Sequence, residues 1–588
     1  MWRNWSGYVS SPEATVSTPA SRDALAAVLR DAAASGTTVR AAGAGHSFSP
    51  LVQTDDVILS LDRMQGVIDV DPERRVARVH AGTRLWALGP ALAARGYAME
   101  NLGDINVQSI AGATSTGTHG TGITLGNLST QIESLVFMRA DGTEIRASAD
   151  THPDLFAGGR IGLGVLGVLT EIGLRVVPSF RLRLERGAMR LDDCLAQADA
   201  LIGRHRSFEF YWFPHTDTVL TKAWDLTDDA PDTASRASRA AESFVENTVF
   251  GALCGLGRRV PALCPSLSRL CASTVSAGRQ VDASHAMLST VRRVRFNEME
   301  WAVPAERGAD ALREIRAFIA RRTFPLMFPL EYRWVRGDDI WLSPNYGRDS
   351  VHISVHQYRG MPFDAYFAGV QAICLNHGGR PHWGKVHGLT AAGLAACYPR
   401  WDDFLALRER MDPHGRFLTP YLRALFGLQH GVSAMSATLA APATSAASAT
   451  SAASATSAAS AASATSATSA TSAASAASAA SAAPATSATS ATSATSATSA
   501  TSATSATSAT PATSATSATS AAPATSATSA TSAAPATSAT SATSATSAPS
   551  AASATSATSA APVHASARPP TDAARALHAA PRSTEENR

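Results

Sequence analysis

Gly43-Ala44-Gly45-His46-Ser47-Phe48 is a glycine-rich turn carrying one histidine, set between two strand-like runs, Thr37-Thr38-Val39-Arg40 and Val57-Ile58-Leu59-Ser60-Leu61. Two glycines let a backbone approach a ligand closely and turn its N–H groups toward phosphate or ring oxygens. A histidine inside such a loop is not placed for an ordinary core and is positioned to touch whatever the loop holds. The alternative is a plain tight turn with a solvent-facing imidazole.

Two further small-residue runs bear on that choice. Ser109-Ile110-Ala111-Gly112-Ala113-Thr114-Ser115-Thr116-Gly117-Thr118-His119-Gly120-Thr121-Gly122 can lie flat against a large planar or phosphorylated ligand and offer it many hydrogen bonds. As a mere connector it would be unusually long for a folded domain. Gly162-Leu163-Gly164-Val165-Leu166-Gly167 matches the letters of the dinucleotide fingerprint, but that fingerprint needs a helix after it. Val168 to Val176 alternates as a strand that stops at Pro178, so a nicotinamide-binding Rossmann domain is excluded.

Around these loops helix and strand alternate. Ser21 is placed to cap a helix through Leu25, Val28 and Leu29 that Gly36 ends. Val67 to Val70 and Val76 to His80 read as a hairpin about Asp71-Pro72, and Thr83 is positioned to cap a helix through Leu85, Leu88 and Leu92. Leu135 to Arg139 pairs with Thr143 to Arg146 across an Asp141-Gly142 turn. Residues 1–178 therefore read as an α+β domain, and residues 179–427 as a second one. In the second, candidate strands Met299 to Val303, Phe328 to Trp334 and Val351 to His356 accompany candidate helices Ala309 to Arg321 and Phe363 to His377. They suggest an antiparallel sheet with helices on one face.

The chain has 588 residues, but from about Ser433 to Pro562 it collapses to Ser-Ala-Thr triplets with occasional prolines. Such a stretch buries too little area to offset ~1–2 kcal/mol per residue of ordering entropy. Residues 428–588 are expected to be a disordered tail, with a regular repeat or a glycosylated stalk as alternatives. A net charge of +3 with signs alternating along the folded part disfavours nucleic acid. Met1-Trp2-Arg3-Asn4-Trp5-Ser6-Gly7 lacks the apolar run of a secretory signal. Six cysteines without C-x-x-C spacing read as free thiols in a reducing, cytoplasmic compartment. The most apolar long segment, Val249 to Ala272, is interrupted by Arg258, Arg259, Pro261, Pro265 and Arg269. It reads as packed helix, or as a peripheral membrane-surface patch, rather than as a span.

His46 in its turn, the run from Ser109 to Gly122 and the segment from Gly162 to Pro178, in this order, resemble the FAD-binding (PCMH-type) domain of vanillyl-alcohol-oxidase-type flavoproteins. Arg3-Asn4-Trp5-Ser6-Gly7, Pro381-His382-Trp383-Gly384-Lys385 and Phe417-Leu418-Thr419-Pro420-Tyr421 narrow the resemblance to the sugar-1,4-lactone oxidases and alditol oxidases. This group includes arabinono-, gulono- and galactonolactone oxidoreductases. The resemblance implies a PCMH-type domain over residues 1–178 and a substrate (cap) domain over 179–427. It further implies FAD bonded covalently to His46, with contacts from Gly43, Ala44, Gly45, Ser47, Phe48, Ser109, Thr114, Gly117, Thr118, His119, Gly120 and Ile172.

The implied activity is hydride transfer from the hydroxyl-bearing carbon of a sugar lactone to the flavin, with O₂ or a cytochrome-like redox protein as final acceptor. Alditol oxidation is the neighbouring alternative, and a surface or scaffold protein with an inert flavin domain is an alternative of another class. Glu331 and Arg333 are two apart on a strand and so project to one side. By resemblance Arg333 stabilises developing negative charge, Glu331 orients a substrate hydroxyl, and Lys385 is an electrostatic partner at the flavin edge. His352, Ser354 and His356 also share a face, with His356 where alditol oxidases carry a substrate-contacting threonine. Alternating histidines could read as a metal site, but no carboxylate or cysteine accompanies them in sequence and none is assigned.

Overall fold

The computed structural model describes residues 1–232, 244–322 and 324–428. The Ser/Ala/Thr-rich stretch expected to be disordered lies outside the described residues. Ser21 caps the helix Arg22–Ser35, its hydroxyl accepting from the Ala24 N–H, and Gly36 closes that helix in the left-handed region at φ 75°. Leu25, Ala26, Leu29 and Ala32 form the buried stripe. Thr15–Ser17, Val57–Leu59 and Val39–Ala41 make a three-stranded parallel sheet. A five-stranded antiparallel sheet runs in the order Glu144–Ser148, Ile132–Met138, Val168–Arg175, Val76–His80, Val67–Asp71. Val168–Arg175 is its central strand and follows the Gly162 to Gly167 loop with no helix between.

Thr83 departs from expectation. Its hydroxyl donates to the His80 carbonyl at 2.6 Å and accepts from the Gly66 N–H at 2.9 Å. Spent on the turn that ends Val76–His80, it leaves the helix Leu85–Ala93 to start at Arg84 without a side-chain cap.

The second sheet is antiparallel and eight-stranded, in the order Gly278–Ala283, Arg181–Arg190, Thr218–Thr227, Ser207–Trp212, Leu330–Val335, Ser350–Tyr358, Phe296–Pro304, Arg380–Pro381. Strand alternation sorts its central residues onto two faces. Phe210, Trp212, Trp301, Tyr332, Ile353 and Val355 pack under the helices Leu191–Ala196, Gly308–Ala320 and Asp364–Asn376. The opposite face carries Glu209, Tyr211, Glu298, Glu300, Glu331, Arg333, His352, Ser354 and His356, all buried. An apolar face under helices and a charged face turned the other way make this sheet the floor of a site.

The chain does not stay with the second sheet to its end. Leu394, Tyr398, Trp401, Phe404, Phe417, Leu422 and Phe426 are buried in one cluster with Leu25, Val79, Leu135 and Ile172. The block 179–427, expected as one cap domain, is therefore divided. The larger sheet's apolar face is already filled by its own helices, and the apolar sides of Ala391–Cys397, Trp401–Met411 and Pro420–Leu425 complete the first domain's core.

Candidate active site

The loop after Val39–Ala41 lines a solvent-open groove of about 1150 Å³. The backbone N–H groups of Gly43, Ala44, Gly45, His46 and Ser47 find no acceptor among the described residues. Gly43 is exposed and Ala44 to Ser47 are half-buried, and such a run of unpaired donors facing a groove forms an anion-binding concavity. The carbonyl side of the loop is clamped instead: Trp5 N–H donates to Gly45 O at 2.8 Å, Asn4 Nδ2 to Ser47 O at 3.0 Å, and Phe48 N–H to Gly384 O at 2.7 Å. Ser49 Oγ donates to Trp383 O at 2.7 Å. The Arg3 to Gly7 and Pro381 to Lys385 motifs thus hold the turn so that its donors face the groove.

Buried Arg40 ties three loops together, donating to the carbonyls of Leu51, Leu163, Gly164 and Phe417 at 2.6–2.9 Å. Burial lowers its pKa to about 10, which leaves it a cation. Gly164 (φ 68°) and Gly167 (φ 125°) need the left-handed region, and both line the groove with Gly43, Gly82, Gly112 and Gly162. A long trough of glycine backbone, free N–H groups and the Ser47, Ser109 and Thr116 hydroxyls fits a flavin nucleotide. The Gly162 to Gly167 loop, set aside as a nicotinamide fingerprint, belongs to this cradle.

His46 lines both the groove and an adjoining cavity that is likewise open to solvent. It stacks on Trp5 at 4.9 Å, and neither ring nitrogen is hydrogen-bonded among the described residues. Burial, then the Lys385 charge, lowers its pKa to about 4, so the imidazole is neutral at ordinary pH.

The cavity is lined by Glu298, Glu300, Glu331, Arg333, His356 and Lys385, together with Asp104 and Arg292. Arg333 donates to Glu209 at 2.9 Å and Glu331 at 2.6 Å, and these carboxylates outweigh burial to hold its pKa above the ordinary range. Lys385 Nζ sits 2.6 Å from Glu298 and 3.4 Å from Glu300. Burial alone would raise both carboxyls, but Lys385 and His356 bring Glu298 down to about 2, and His119 and Lys385 hold Glu300 well below its usual value. Arg292 pairs with Asp104.

Of the sequence-expected residues, Gly43, Ala44, Gly45, His46, Ser47 and Ser109 line the groove, and Phe48, Thr118, His119, Glu331, Arg333, His356 and Lys385 line the cavity. Four lie off both. Thr114 is buried with its hydroxyl returned to Ile110 O at 2.9 Å, Gly117 (φ 75°) packs on Ile161, and Gly120 abuts Leu102 O. Ile172 is core, paired with Val79 in the sheet. Ala113 is likewise core, while Gly112 lines the groove.

Glu298 was missed because the strand was expected to begin at Met299, whereas it begins at Phe296; Glu300 lay inside the expected strand and was not singled out. The alternation Asn297-Glu298-Met299-Glu300-Trp301 was the available signal. These carboxylates also correct the statement that none accompanies the histidines. His119, Glu300 and His352 form one close group, and Glu298, Glu331 and His356 another. In the first, His119 Nε2 lies 2.5 Å and His352 Nδ1 2.9 Å from the same Glu300 oxygen. His119 Nδ1 meets the Gly120 carbonyl at 2.9 Å, so it faces acceptors on both nitrogens.

A family model described as D-arabinono-1,4-lactone oxidase matches residues 172–425, and one described as FAD binding domain matches residues 12–148. The L-gulono-1,4-lactone dehydrogenase of Mycobacterium tuberculosis (strain CDC 1551 / Oshkosh) is 41% identical, with 73% of this chain and 99% of that protein covered. The L-gulonolactone oxidase of Mus musculus is 32% identical, with 72% and 98% covered. Among solved structures, a solvent-stable cholesterol oxidase shares the fold with a TM-score of 0.61 at 19% identity, over 72% of this chain and 97% of that one.

Proposed function

The chain belongs to the FAD-dependent sugar-1,4-lactone oxidoreductase family, and from that premise we propose that it oxidises a gulono- or arabinono-type 1,4-lactone at the carbon bearing the 2-hydroxyl. The observation that carries this reading is the cavity of paired Glu, Arg, Lys and His side chains opening beside His46. The flavin, when bound, supplies a hydride acceptor. His46, a neutral imidazole with no hydrogen-bond partner among the described residues, is the covalent anchor in this proposal, and the unpaired N–H groups of Gly43 to Ser47 hold the pyrophosphate.

Arg333 is fixed by two carboxylates and stabilises negative charge as it develops on the substrate oxygen. Glu331, held by Arg333, orients a substrate hydroxyl. Lys385 keeps Glu298 and Glu300 ionised and supplies positive charge at the seam between groove and cavity. A 2-keto lactone formed this way enolises to an ascorbate-type product.

The acceptor is O₂ or a redox protein, and the six free cysteines suit a reducing, cytoplasmic setting. No helix among the described residues is long and apolar enough to cross a membrane. Peripheral contact belongs to the proposal. The helices Phe250–Arg259 and Cys264–Ser273 expose Leu256 and Leu270 beside Arg258 and Arg259.

The test is spectroscopic. Yellow colour should stay with acid-precipitated protein and leave it in His46→Ala. Anaerobic bleaching should proceed faster with gulono-, galactono- or arabinonolactone than with xylitol or sorbitol. A colourless protein that takes up no FAD would end the reading, and preferential bleaching by alditols would replace the lactone with a polyol.

A further inference from the structure

A carbinol that gives up a hydride must also give up its hydroxyl proton, and the cavity offers several groups that could take it. Nearly all are committed. Glu331 accepts from Arg333 at 2.6 Å, Glu298 from Lys385 at 2.6 Å, and Glu300 faces His119 at 2.5 Å. Asp104 is paired with Arg292. Carboxylates held in their charged form by cations are weak bases. Burial opposes this for Asp104, Glu298 and Glu300, yet the neighbouring cations leave all three below their ordinary values. Lys385 has its protonated form favoured. His382 accepts from the Gly384 N–H at its Nδ1 (3.1 Å), so the proton of the neutral ring sits on Nε2 and leaves it no free lone pair. His119 faces acceptors on both sides.

His356 is different. Its Nδ1 lies 3.2 Å from the carbonyl of Pro329, which can only accept, so Nδ1 carries the proton and Nε2 the lone pair. Its ring is set edge-on to Phe296 at 4.8 Å and tilted against Phe328 at 6.1 Å, and its side chain lines the cavity. No donor reaches Nε2 among the described residues. The group nearest Nε2 is a Glu298 carboxylate oxygen at 3.5 Å, an acceptor as well but well beyond the 2.5 Å contact that engages His119 Nε2. Glu331 stands on another strand, with Lys385 behind Glu298 and Arg333 behind Glu331.

We propose that His356 is the base that takes the proton of the reacting hydroxyl. The O–H bond breaks and its proton forms an Nε2–H bond. The O–H electron pair becomes the second C–O bond as the carbon loses a hydride to the flavin. The resulting imidazolium faces two carboxylates, which stabilise it without being protonated. This rests on the reading of the cavity as the site of carbinol oxidation and holds equally for a lactone or a polyol.

The experiment is anaerobic bleaching of the flavin-loaded enzyme, followed against pH, with whichever lactone or alditol reduces it. The wild-type rate should fall about tenfold per pH unit below one ionisation. His356→Gln should bleach about 10²–10³-fold more slowly, lose that acid limb, and keep its flavin spectrum and its affinity for the substrate. His356→Ala should regain rate with added imidazole in proportion to the neutral form, which a merely structural residue does not permit. Unchanged rate and pH profile in His356→Gln, or no imidazole rescue in a flavin-retaining His356→Ala, overturns the base assignment alone. If nothing bleaches the loaded wild type, the carbinol reading and the base fall together.

Discussion

At the scale of single residues, the site is a set of charges that neutralise one another. Lys385 is the group whose loss tells most, because it serves two buried carboxylates at once. Removing one partner of a buried pair costs about 3–5 kcal/mol, since the other charge stays buried. Lys385→Met should lose stability in that range at pH 7.5, measured by urea unfolding, and Lys385→Met combined with Glu298→Gln should regain part of it. The pH dependence has a definite sign. Glu298 is depressed to about 2 in the folded state, against about 4.3 unfolded. Its contribution is therefore complete above the unfolded value and lost as pH falls through the folded one. In the Lys385→Met protein the depressing charge is gone, so acid unfolding followed by circular dichroism should begin at a higher pH than in the wild type. Glu331 and Arg333 could be read from sequence because the i, i+2 rule needs only one strand. The partnership of Lys385 with Glu298 and Glu300 could not, because it joins residues roughly ninety positions apart through two separate elements.

At the scale of elements, local chemistry was legible where it decides the outcome alone. The Ser21 cap and the Gly36 stop bound their helix as read, and Ser21→Ala should cost ~1 kcal/mol in thermal or chemical unfolding. Thr83 misled because a hydroxyl with two competing backbone partners is assigned by the turn, which sequence does not display. The strand holding Glu298 was cut short for a related reason: its first residues include two adjacent polar side chains, Asn297 and Glu298, which pairing with the neighbour Ser350–Tyr358 carries into the sheet. The glycine loops act as a pair. A methyl at Gly43 would lie 2.4 Å from Ser109 Oγ, the atom that accepts from Gly112 N–H to cap the helix Ile110–Ser115. Gly43→Ala should therefore weaken FAD retention, read as flavin-to-protein absorbance ratio. Adding Ser109→Gly should recover part of it by removing the clash. Equal losses in the single and double variants would mean that the methyl collides with the ligand itself.

At the scale of the whole molecule, the chain closes on itself. The helices Ala391–Cys397, Trp401–Met411 and Pro420–Leu425 fill the core of the domain that residues near the start began, and Arg40 reaches the Phe417 carbonyl at 2.8 Å. Sequence order suggested two consecutive domains because composition carries no record of which core an amphipathic helix will enter. The consequence is an asymmetry between two truncations. Ending the chain at residue 432 keeps the whole segment that the D-arabinono-1,4-lactone oxidase model matches, residues 172–425, and a length equal to the match with the L-gulono-1,4-lactone dehydrogenase, which spans 428 residues and 99% of that relative. It should leave flavin content, melting temperature and turnover unchanged. Ending it at residue 390 strips Leu394, Tyr398, Trp401, Phe404, Phe417 and Leu422 from a shared interior, where each large apolar side chain contributes about 1.5–3 kcal/mol by burial. The sum is as large as the about 5–15 kcal/mol that holds an ordinary domain together. The shorter protein should therefore be insoluble or unfolded and colourless, although residues 12–148, the whole matched FAD-binding segment, remain in it. A soluble, yellow product ending at residue 390 would show that the first domain folds without the returning helices. Loss of turnover with flavin still bound in the protein ending at 432 would transfer a functional role to the Ser/Ala/Thr-rich segment.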